Sequence, residues 1–505
     1  MGTKSADVTQ GMLLVQLVSN TLRRNVIGLT KIFLALTLAF IFCETLFKQP
    51  EPANTESFMH AVRRLASPDK VIFLAYADSA FLDMAENFYE TSLKPHSINN
   101  ILFVASDREC CRQMRGRLGL PCYVHREDAQ ANEHSAYGES GFIRKMNYRT
   151  DVILEAIQHG YNVLHTDTDM VYVRHPLKHI HCGSGCDMAI LMERGWTHNA
   201  GFVYVRPTER GIYLYRQMKN LSIIEPTLDD QRQLNRIVGQ MRRSKEVKFN
   251  YIRLPSSSFS SGIVYFENGR RTFARDNVSS DIVVIHNNWI VSKEAKIYRF
   301  KEHLMWLIDK NGYYSKRTRK YLTYGNPLVF KTRSHTLSQE RQALRNAMAI
   351  GQILDRVVIL PSFHCGENET EKMHCALNSF YRVAAFDATF GDRYREHVFL
   401  LNPKVPETVK NSLSDVYRIV SPESKNAIRR DSKKSPTGIK QLRPGSDDGA
   451  TSVEIEKWLG NIPESVLQFD HLFGAFKGFD SESEQDSFDR MIHSGFVTAT
   501  YQQKP

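Results

Sequence analysis

Two aspartates, Asp167 and Asp169, follow directly after an apolar run in the segment YNVLHTDTDMVYVRHPL. In open α/β sheets, ligands bind outside the carboxyl ends of the strands. Two carboxylates at such a strand end repel each other, and a hard divalent cation between them removes the repulsion. The spacing therefore predicts a site for Mn²⁺ or Mg²⁺ that leaves coordination positions for phosphate oxygens. The alternative is a solvated acidic turn, because a single D-x-D arises by chance about once in a chain of this length.

Three later segments carry polar side chains that could complete such a site. HNAGFVYVRPT places Asn199 at a turn before a strand, and EPTLDDQRQLN places Asp230 and Gln231 at a predicted helix start. DIVVIHNNWIVSKEAK places His286 at a strand end, with Lys296 ten residues later. An imidazole can complete a carboxylate metal site, and an ammonium group can hold a diphosphate. Taken alone, His286 also fits a partly buried structural histidine, and Lys296 a surface charge on a helix.

The elements around these residues alternate between short apolar runs and amphipathic stretches. The runs VIFLAY, NILFVAS, YNVLHT, CDMAILM, GFVYVRP and DIVVIHN are typical of strands. Helices are predicted near residues 80–93, 141–159 and 298–309, and Gly160 lies where a left-handed C-cap is expected. Strands separated by helices predict a mostly parallel, doubly wound α/β sheet.

The organisation of the whole chain is predicted from shifts in composition. The expected parts are a cytosolic tail (residues 1–25), a transmembrane signal-anchor (26–47), a polar stem (48–67), a catalytic α/β domain (68–310), a basic, Tyr-rich linker (311–333) and a second, smaller α/β domain (334–505) with a flexible loop (421–451). The role of the second domain does not follow from its sequence.

The anchor prediction rests on the segment VIGLTKIFLALTLAFIFCETLF. Its 22 residues would form a helix of roughly 33 Å, against about 30 Å of hydrocarbon core. Lys4, Arg23, Arg24 and Lys31 lie on its N-terminal side, so the positive-inside rule places the tail in the cytosol and the rest of the chain in the lumen. No small-x-small cleavage site follows, which disfavours a cleaved signal. The alternative is a buried amphipathic helix.

Composition and cysteines agree with a large folded protein in an oxidising compartment. The chain has 505 residues, 42% of them apolar, and 66 basic against 55 acidic residues give a net charge of +11, which excludes collagen-like and wholly disordered classes. The positive charge suits a phosphorylated ligand, and no nucleic-acid signature accompanies it. Expected disulfides join Cys365 with Cys375, and Cys110 or Cys111 with Cys122. Sequons for N-glycosylation lie at Asn220, Asn277 and Asn368.

The ordered set GYNVLHTDTDMVYVRHPL, CDMAI, NAGFVYVRPT, DDQRQLN and HNNW with a later Lys resembles the nucleotide-diphospho-sugar transferases, and in particular glycosyltransferase family 77. The resemblance covers roughly residues 70–310. It implies a GT-A fold, which is a single Rossmann-like catalytic domain whose D-x-D binds Mn²⁺ (or Mg²⁺) and a nucleoside-diphosphate sugar. It further implies a UDP-sugar as the expected donor and retention at the anomeric carbon.

The resemblance also assigns roles to individual residues. Asp167, Asp169 and His286 would hold the metal, with Asp167 also near the ribose or sugar, and Lys296 would neutralise the diphosphate. Asp230 and Gln231 would face the transferred sugar as positioning groups, in keeping with same-face substitution, because the Gln231 amide is a poor nucleophile. The remaining donor-binding residues would be Tyr76, Ala77, Asp78, Lys145 and Asn199.

The sequence thus favours a Golgi type II membrane glycosyltransferase acting on a glycan or glycoprotein acceptor. Two alternatives stay open: a catalytically inactive lumenal sugar-binding protein, and a phosphatase, since DTDMV fits a D-x-D-x-[TV] signature with a nucleophilic first Asp. In the second domain, Arg393, Arg395, Glu396 and His397 could read an acceptor or form a salt-bridged turn.

Overall fold

A computed structural model of the chain describes residues 56–125, 139–193, 195, 197–244, 248–268, 281–328, 333–364, 374–375, 377–422, 428–429 and 438–499. The expected anchor at residues 26–47, Cys365 and the sequons at Asn277 and Asn368 lie outside these ranges. Among the residues described, none of the helices has both the length and the apolar composition needed to cross a bilayer.

The strands of the described residues are named β1 to β22 in chain order. They are Val71–Ala77, Ile101–Ala105, Cys122–Val124, Asn162–Thr166, Met170–Tyr172, Met188–Met192, His198–Val205, Tyr251–Arg253, Phe259–Ser260, Val284–His286, Tyr321–Tyr324, Pro327–Leu328, Val357–Ile359, Phe363–His364, His374–Cys375, Tyr394–Arg395, Leu413–Ile419, Ile428–Arg429, Lys440–Leu442, Ala450–Thr451, Val466–Phe469 and Phe476–Gly478.

The α-helices of the same residues are named α1 to α12. They are Phe58–Leu65, Leu82–Phe88, Arg108–Leu118, Ser140–Gln158, Glu209–Ile224, Asp230–Arg243, Lys293–Glu302, Arg333–Ile353, Val383–Phe390, Glu407–Lys410, Ser452–Leu459 and Glu482–Gly495. Helix α4 ends as expected, because Gly160 adopts a left-handed backbone with φ of 84°. Helix α7 begins earlier than its apolar spacing predicts, because the Ser292 side chain caps it by accepting from the Ala295 N–H.

A first sheet of seven strands has the order β3-β2-β1-β4-β7-β6-β8. Its neighbours pair in parallel except at β7, which runs antiparallel to both β4 and β6. The prediction of a mostly parallel α/β sheet is therefore confirmed for this part of the chain. Because β7 is reversed, its first residues lie at the edge where β1, β4 and β6 end.

A small sheet, β5-β10-β9, extends from that edge. Strand β10 pairs antiparallel with β5, so that His286 lies opposite Met170. This pairing brings a residue from late in the first α/β unit next to the D-x-D segment. The run DIVVIHN predicts β10, but the sequence analysis does not predict β5, and the pairing of the two strands is a tertiary feature.

A second sheet has six strands, all parallel, in the order β16-β13-β11-β21-β17-β19. Its strand β11 lies within residues 311–333, which the sequence analysis treats as a linker, because the short YLTY run is flanked by basic residues. The expected flexible loop at residues 421–451 contains three short strands among its described residues, namely Ile428–Arg429, Lys440–Leu442 and Ala450–Thr451.

Residues from Phe58 onward form one compact unit. The core of the second sheet includes Ala295 and Tyr298 of α7, and Ile290 packs against it. The polar residues Arg395 and Glu396 are fully buried beside Tyr313, which donates to the Glu396 carboxylate at 2.6 Å. These two side chains are thus part of a buried junction and are not open to an acceptor, and Arg395 pairs with the Asp392 carboxylate at 3.2 Å. Arg393 and His397 of the same predicted cluster are exposed.

Among the described residues, two disulfides lie in the first α/β unit. Cys111 pairs with Cys122, as one of the two expected alternatives, and Cys182 pairs with Cys186. Cys110 is a buried free thiol.

Candidate active site

The two aspartates of the D-x-D segment lie where strand β4 ends. The backbone N–H of Asp167 donates to the Gly201 carbonyl at 2.8 Å, and the carbonyl of Asp169 accepts from Asn287 at 2.9 Å. The His286 Nε2 lies 3.2 Å from the nearer carboxylate oxygen of Asp169 and 3.6 Å from that of Asp167. One ligand atom from each of these three residues therefore falls within 4.8 Å of the others.

The backbone of Gly201 lies directly against Asp167 and His286. A Cβ at this position would lie 2.3 Å from a carboxylate oxygen of Asp167 and 2.9 Å from Cε1 of His286. The Asn199 side chain fixes the glycine by accepting from its backbone N–H at 2.9 Å. The sequence predicts a turn at Asn199, but Asn199, Ala200 and Gly201 lie inside strand β7. Because Gly201 has no side chain, β7 approaches the carboxylate and the imidazole more closely than any side chain would permit.

A buried arginine, Arg149 of helix α4, joins two of the acidic groups. Its guanidinium contacts the Asp167 carboxylate and donates to Asp230 at 2.6 Å. Burial would raise the pKa of Asp167, but Arg149 together with His165 and His286 holds that pKa below its usual range. Burial raises the pKa of Asp230 to about 6, because Arg149 offsets only part of it.

Lys296 plays the same part for the second aspartate. Its ammonium lies 2.7 Å from the Asp169 carboxylate, and with His286 it outweighs burial and holds the pKa of Asp169 below its usual range. Burial opposes the charge on His286, yet Asp169 and Asp167 raise its pKa above the ordinary value. Both carboxylates are therefore ionised at neutral pH, as metal ligands must be.

The donor set fits a divalent cation. It consists of two ionised carboxylates and one imidazole, which is a mixture of hard oxygen and borderline nitrogen ligands suited to Mn²⁺ or Mg²⁺. Asp167 keeps 28% of its side chain exposed, so the cluster is open on the side of that residue. We therefore expect added ligands to approach from there.

Comparison with known proteins gives the cluster its context. Residues 96–300 match the family model of the nucleotide-diphospho-sugar transferases. The chain therefore carries a nucleotide-diphospho-sugar transferase domain. This confirms the resemblance found in the sequence, and by this domain the protein is a glycosyltransferase.

Three curated proteins that this chain resembles are also glycosyltransferases. Arabinosyltransferase XEG113 of Arabidopsis thaliana is 22% identical over 84% of this chain and 73% of that protein. UDP-galactose:fucoside alpha-3-galactosyltransferase of Dictyostelium discoideum is 27% identical over 37% of this chain and 31% of its own length. UDP-D-xylose:L-fucose alpha-1,3-D-xylosyltransferase 3 of Arabidopsis thaliana is 23% identical over 56% of this chain and 80% of its own length.

In the transferase domain, the two residues expected to face the transferred sugar lie beside the metal cluster, which comprises the side chains of Asp167, Asp169 and His286. Asp230 is the first residue of α6, a helix that the Asp229 side chain caps, and it is held by Arg149. The Gln231 side chain accepts from the Ala200 N–H at 3.2 Å and from Asn199 at 3.4 Å. The structure thus brings Asp230, Gln231 and Asn199 together around the N-A-G segment of β7.

The residues expected to bind the nucleotide lie at the end of β1. Ala77 is buried, Tyr76 is half-buried, and Asp78 caps a short helical turn by accepting from the Phe81 N–H at 3.1 Å. Lys145 donates to the Asp78 carboxylate at 2.9 Å, and both side chains are nearly fully buried. The structure therefore places Lys145 in an ion pair with Asp78, and their contact with a nucleotide stays a prediction.

Sequence reasoning missed Arg149, and it also missed Glu193, whose carboxylate accepts from Asn199, Asn288 and Trp289. Arg149 lies on an amphipathic helix, where a basic residue normally indicates a solvated face. Glu193 lies between two strands, where an acidic residue normally indicates a turn. Neither spacing carries a signal that could have found them.

Proposed function

We propose that the protein transfers a sugar from a UDP-sugar to a hydroxyl group of a glycan or glycoprotein, with Mn²⁺ (or Mg²⁺) in the Asp167–Asp169–His286 cluster. The observation that carries the proposal is the convergence of this ionised, cation-ready cluster with Asn199, Asp230 and Gln231 at one sheet edge of a transferase domain. The reversed β7 within an otherwise parallel sheet supports a GT-A fold.

The proposed reaction replaces one bond to the anomeric carbon by another on the same face. The bond from that carbon to the β-phosphate oxygen breaks, and UDP leaves with the electron pair. The acceptor oxygen forms the new bond, and its proton passes to the departing diphosphate. The bound metal would supply Lewis-acid stabilisation of the leaving charge.

This chain's own residues would position the reactants. Lys296, already beside Asp169, would add positive charge at the diphosphate, which stabilises charge developing on the leaving group. Asp230 is held by Arg149 and Gln231 by the N-A-G segment of β7, so both serve as fixed hydrogen-bonding groups for the sugar. Asp167 is held by Arg149 as well, which disfavours the phosphatase alternative, in which it would be a free nucleophile.

We further propose that the transferase domain lies in the Golgi lumen, attached by a type II signal-anchor at residues 26–47. The two disulfides support an oxidising compartment, since disulfides persist in secreted and lumenal proteins. The relatives act on UDP-xylose, UDP-galactose and an arabinosyl donor according to their names, so these sugars are the first donors to test.

The test is UDP release by the purified full-length chain from UDP-xylose, UDP-galactose and UDP-arabinose, with fucoside acceptors. We expect Mn²⁺-dependent release that a chelator abolishes and excess Mn²⁺ restores. Asp169→Asn should abolish release and Mn²⁺ binding measured by electron paramagnetic resonance. Asp415→Asn, at a carboxylate that is 57% exposed, is the matched control and should change neither. Full activity in excess chelator would overturn the proposal, and Mn²⁺ and UDP binding without turnover would indicate the inactive sugar-binding alternative.

A further inference from the structure

The loop that follows the metal ligand His286 has an unusual backbone. Trp289 adopts φ of 57° and Ser292 φ of 84°, both in the left-handed region that non-glycine residues rarely occupy. Such conformations persist where the surrounding structure enforces them, and they concentrate at functional sites. A bulky, partly exposed tryptophan in this region, three residues from a metal ligand, therefore requires an explanation.

One buried carboxylate enforces the conformation of this loop. Glu193 accepts hydrogen bonds from the indole N–H of Trp289, from the Asn288 amide at 2.5 Å and from the Asn199 amide. From the other side, Arg299 donates to the Asn288 carbonyl at 3.0 Å. The indole is thus fixed at its polar edge, while the ring itself stays partly exposed.

The order of the strands places this indole with respect to the metal. Across the sheet edge, β1 carries the predicted nucleotide side at Asp78, β4 carries Asp167, β7 carries Asn199, and β6 leads into Glu193. Three strand spacings separate β1 from β6, which is roughly 14 Å. Glu193 and the indole that it holds therefore lie beyond the proposed metal site and the N-A-G segment of β7, on the side away from the predicted nucleotide side.

We propose that Trp289 is the platform on which the acceptor sugar packs, and that Glu193 is the positioning residue that sets the ring. The inference rests on the proposed function and specifies its second substrate site. A pyranose ring presents an apolar face of C–H groups, which an exposed indole face complements, while its hydroxyls remain free to reach the transferred sugar beside Asn199 and Gln231. A preorganised ring loses little conformational freedom on binding.

The test compares acceptor use with donor use in the full-length chain. The variants are Trp289→Leu, Trp289→Phe and Glu193→Gln, with Trp458→Phe of the partly exposed Trp458 as the matched control. UDP release is measured without acceptor, as hydrolysis, and with p-nitrophenyl α-L-fucoside, as transfer. Saturation-transfer NMR measures binding of the same glycoside without turnover, and calorimetry with Mn²⁺ measures UDP affinity.

We expect Trp289→Leu to lower the ratio of transfer to hydrolysis about tenfold through the acceptor KM, with smaller losses in the same direction for Trp289→Phe and Glu193→Gln. Trp458→Phe should leave the ratio unchanged. An equal loss of transfer and hydrolysis, or a loss of UDP affinity, would overturn the proposal, because the loop would then serve the donor. Equal glycoside binding by wild type and Trp289→Leu, or none by wild type, would also overturn it. If the wild type binds the glycoside in a Trp289-dependent way but releases no UDP, the proposed function is contradicted and the acceptor platform is supported.

Discussion

Two buried clusters of charged residues in this molecule behave in opposite ways. In the metal cluster, the pKa values of Asp167 and Asp169 lie below their usual range. In the junction beside the second sheet, burial raises the pKa of Glu302 to about 8 and lowers that of Lys301 to about 8. Burial is the largest influence in both clusters, so the difference comes from what surrounds each carboxylate.

The partners explain the contrast. Arg149 and Lys296 each contact one of the site aspartates directly. At the junction, Glu302 accepts from the Leu377 N–H at 3.3 Å, which favours its charged form only in part. The nearby charge of Glu396 disfavours that charged form. The Lys301 ammonium lies 3.6 Å from the centre of the Tyr313 ring instead of on a carboxylate. The site therefore preserves negative charge for a cation, whereas at the junction the pKa values of Glu302 and Lys301 are both shifted toward the neutral form.

The largest effect is expected from removing the guanidinium of Arg149, which bridges Asp167 and Asp230. Arg149→Met leaves the buried Asp230 and the partly buried Asp167 without this partner, so we expect a loss of about 3–5 kcal/mol in the free energy of unfolding and loss of UDP release. Denaturant titration measures the first effect. Arg345→Met, which breaks an exposed pair with Asp489, should cost no more than about 1 kcal/mol. Similar costs for the two variants would contradict the contrast between buried and exposed pairs.

A second variant crowds the side chains of the metal cluster without changing any of its charges. Gly201→Ala pushes a methyl group against Asp167 and His286, and we expect Mn²⁺ affinity and activity to fall about 100-fold. Gly116→Ala, in a helix with open space around the new Cβ, is the control and should be neutral or slightly stabilising. Unchanged Mn²⁺ affinity in Gly201→Ala would show that the cluster can move away from β7.

The junction is tested by pH. Because the folded state raises the pKa of Glu302 from 4.5 to about 8, its contribution to stability is fully present below pH 4.5 and is lost as the pH rises to about 8. In the wild type, this ionisation should lower the free energy of unfolding by up to about 3 kcal/mol between pH 5 and pH 8, and we expect Glu302→Gln to abolish that decrease. Thermal unfolding at both pH values measures it. The same pH dependence in wild type and variant would mean that Glu302 ionises normally in the folded protein.

Much of this arrangement could be predicted from the sequence, because apolar runs mark the strands and Asp167, Asp169 and His286 each follow or end one. What the sequence could not supply is which strands become neighbours. The antiparallel pairing of β10 with β5 brings His286 to Asp169, and the reversal of β7 brings Gly201 to Asp167. Arg149 could not be found for the same reason, since its partners lie 18 and 81 residues away.

The packing of Ile290, Ala295 and Tyr298 against the core of the second sheet makes that core a foundation for the loop between His286 and Lys296. Unfolding of the second sheet would withdraw apolar support from the segment that carries the proposed metal ligand His286 and the Lys296 ammonium. We therefore expect destabilising changes in the C-terminal part of the chain to weaken cation binding as well.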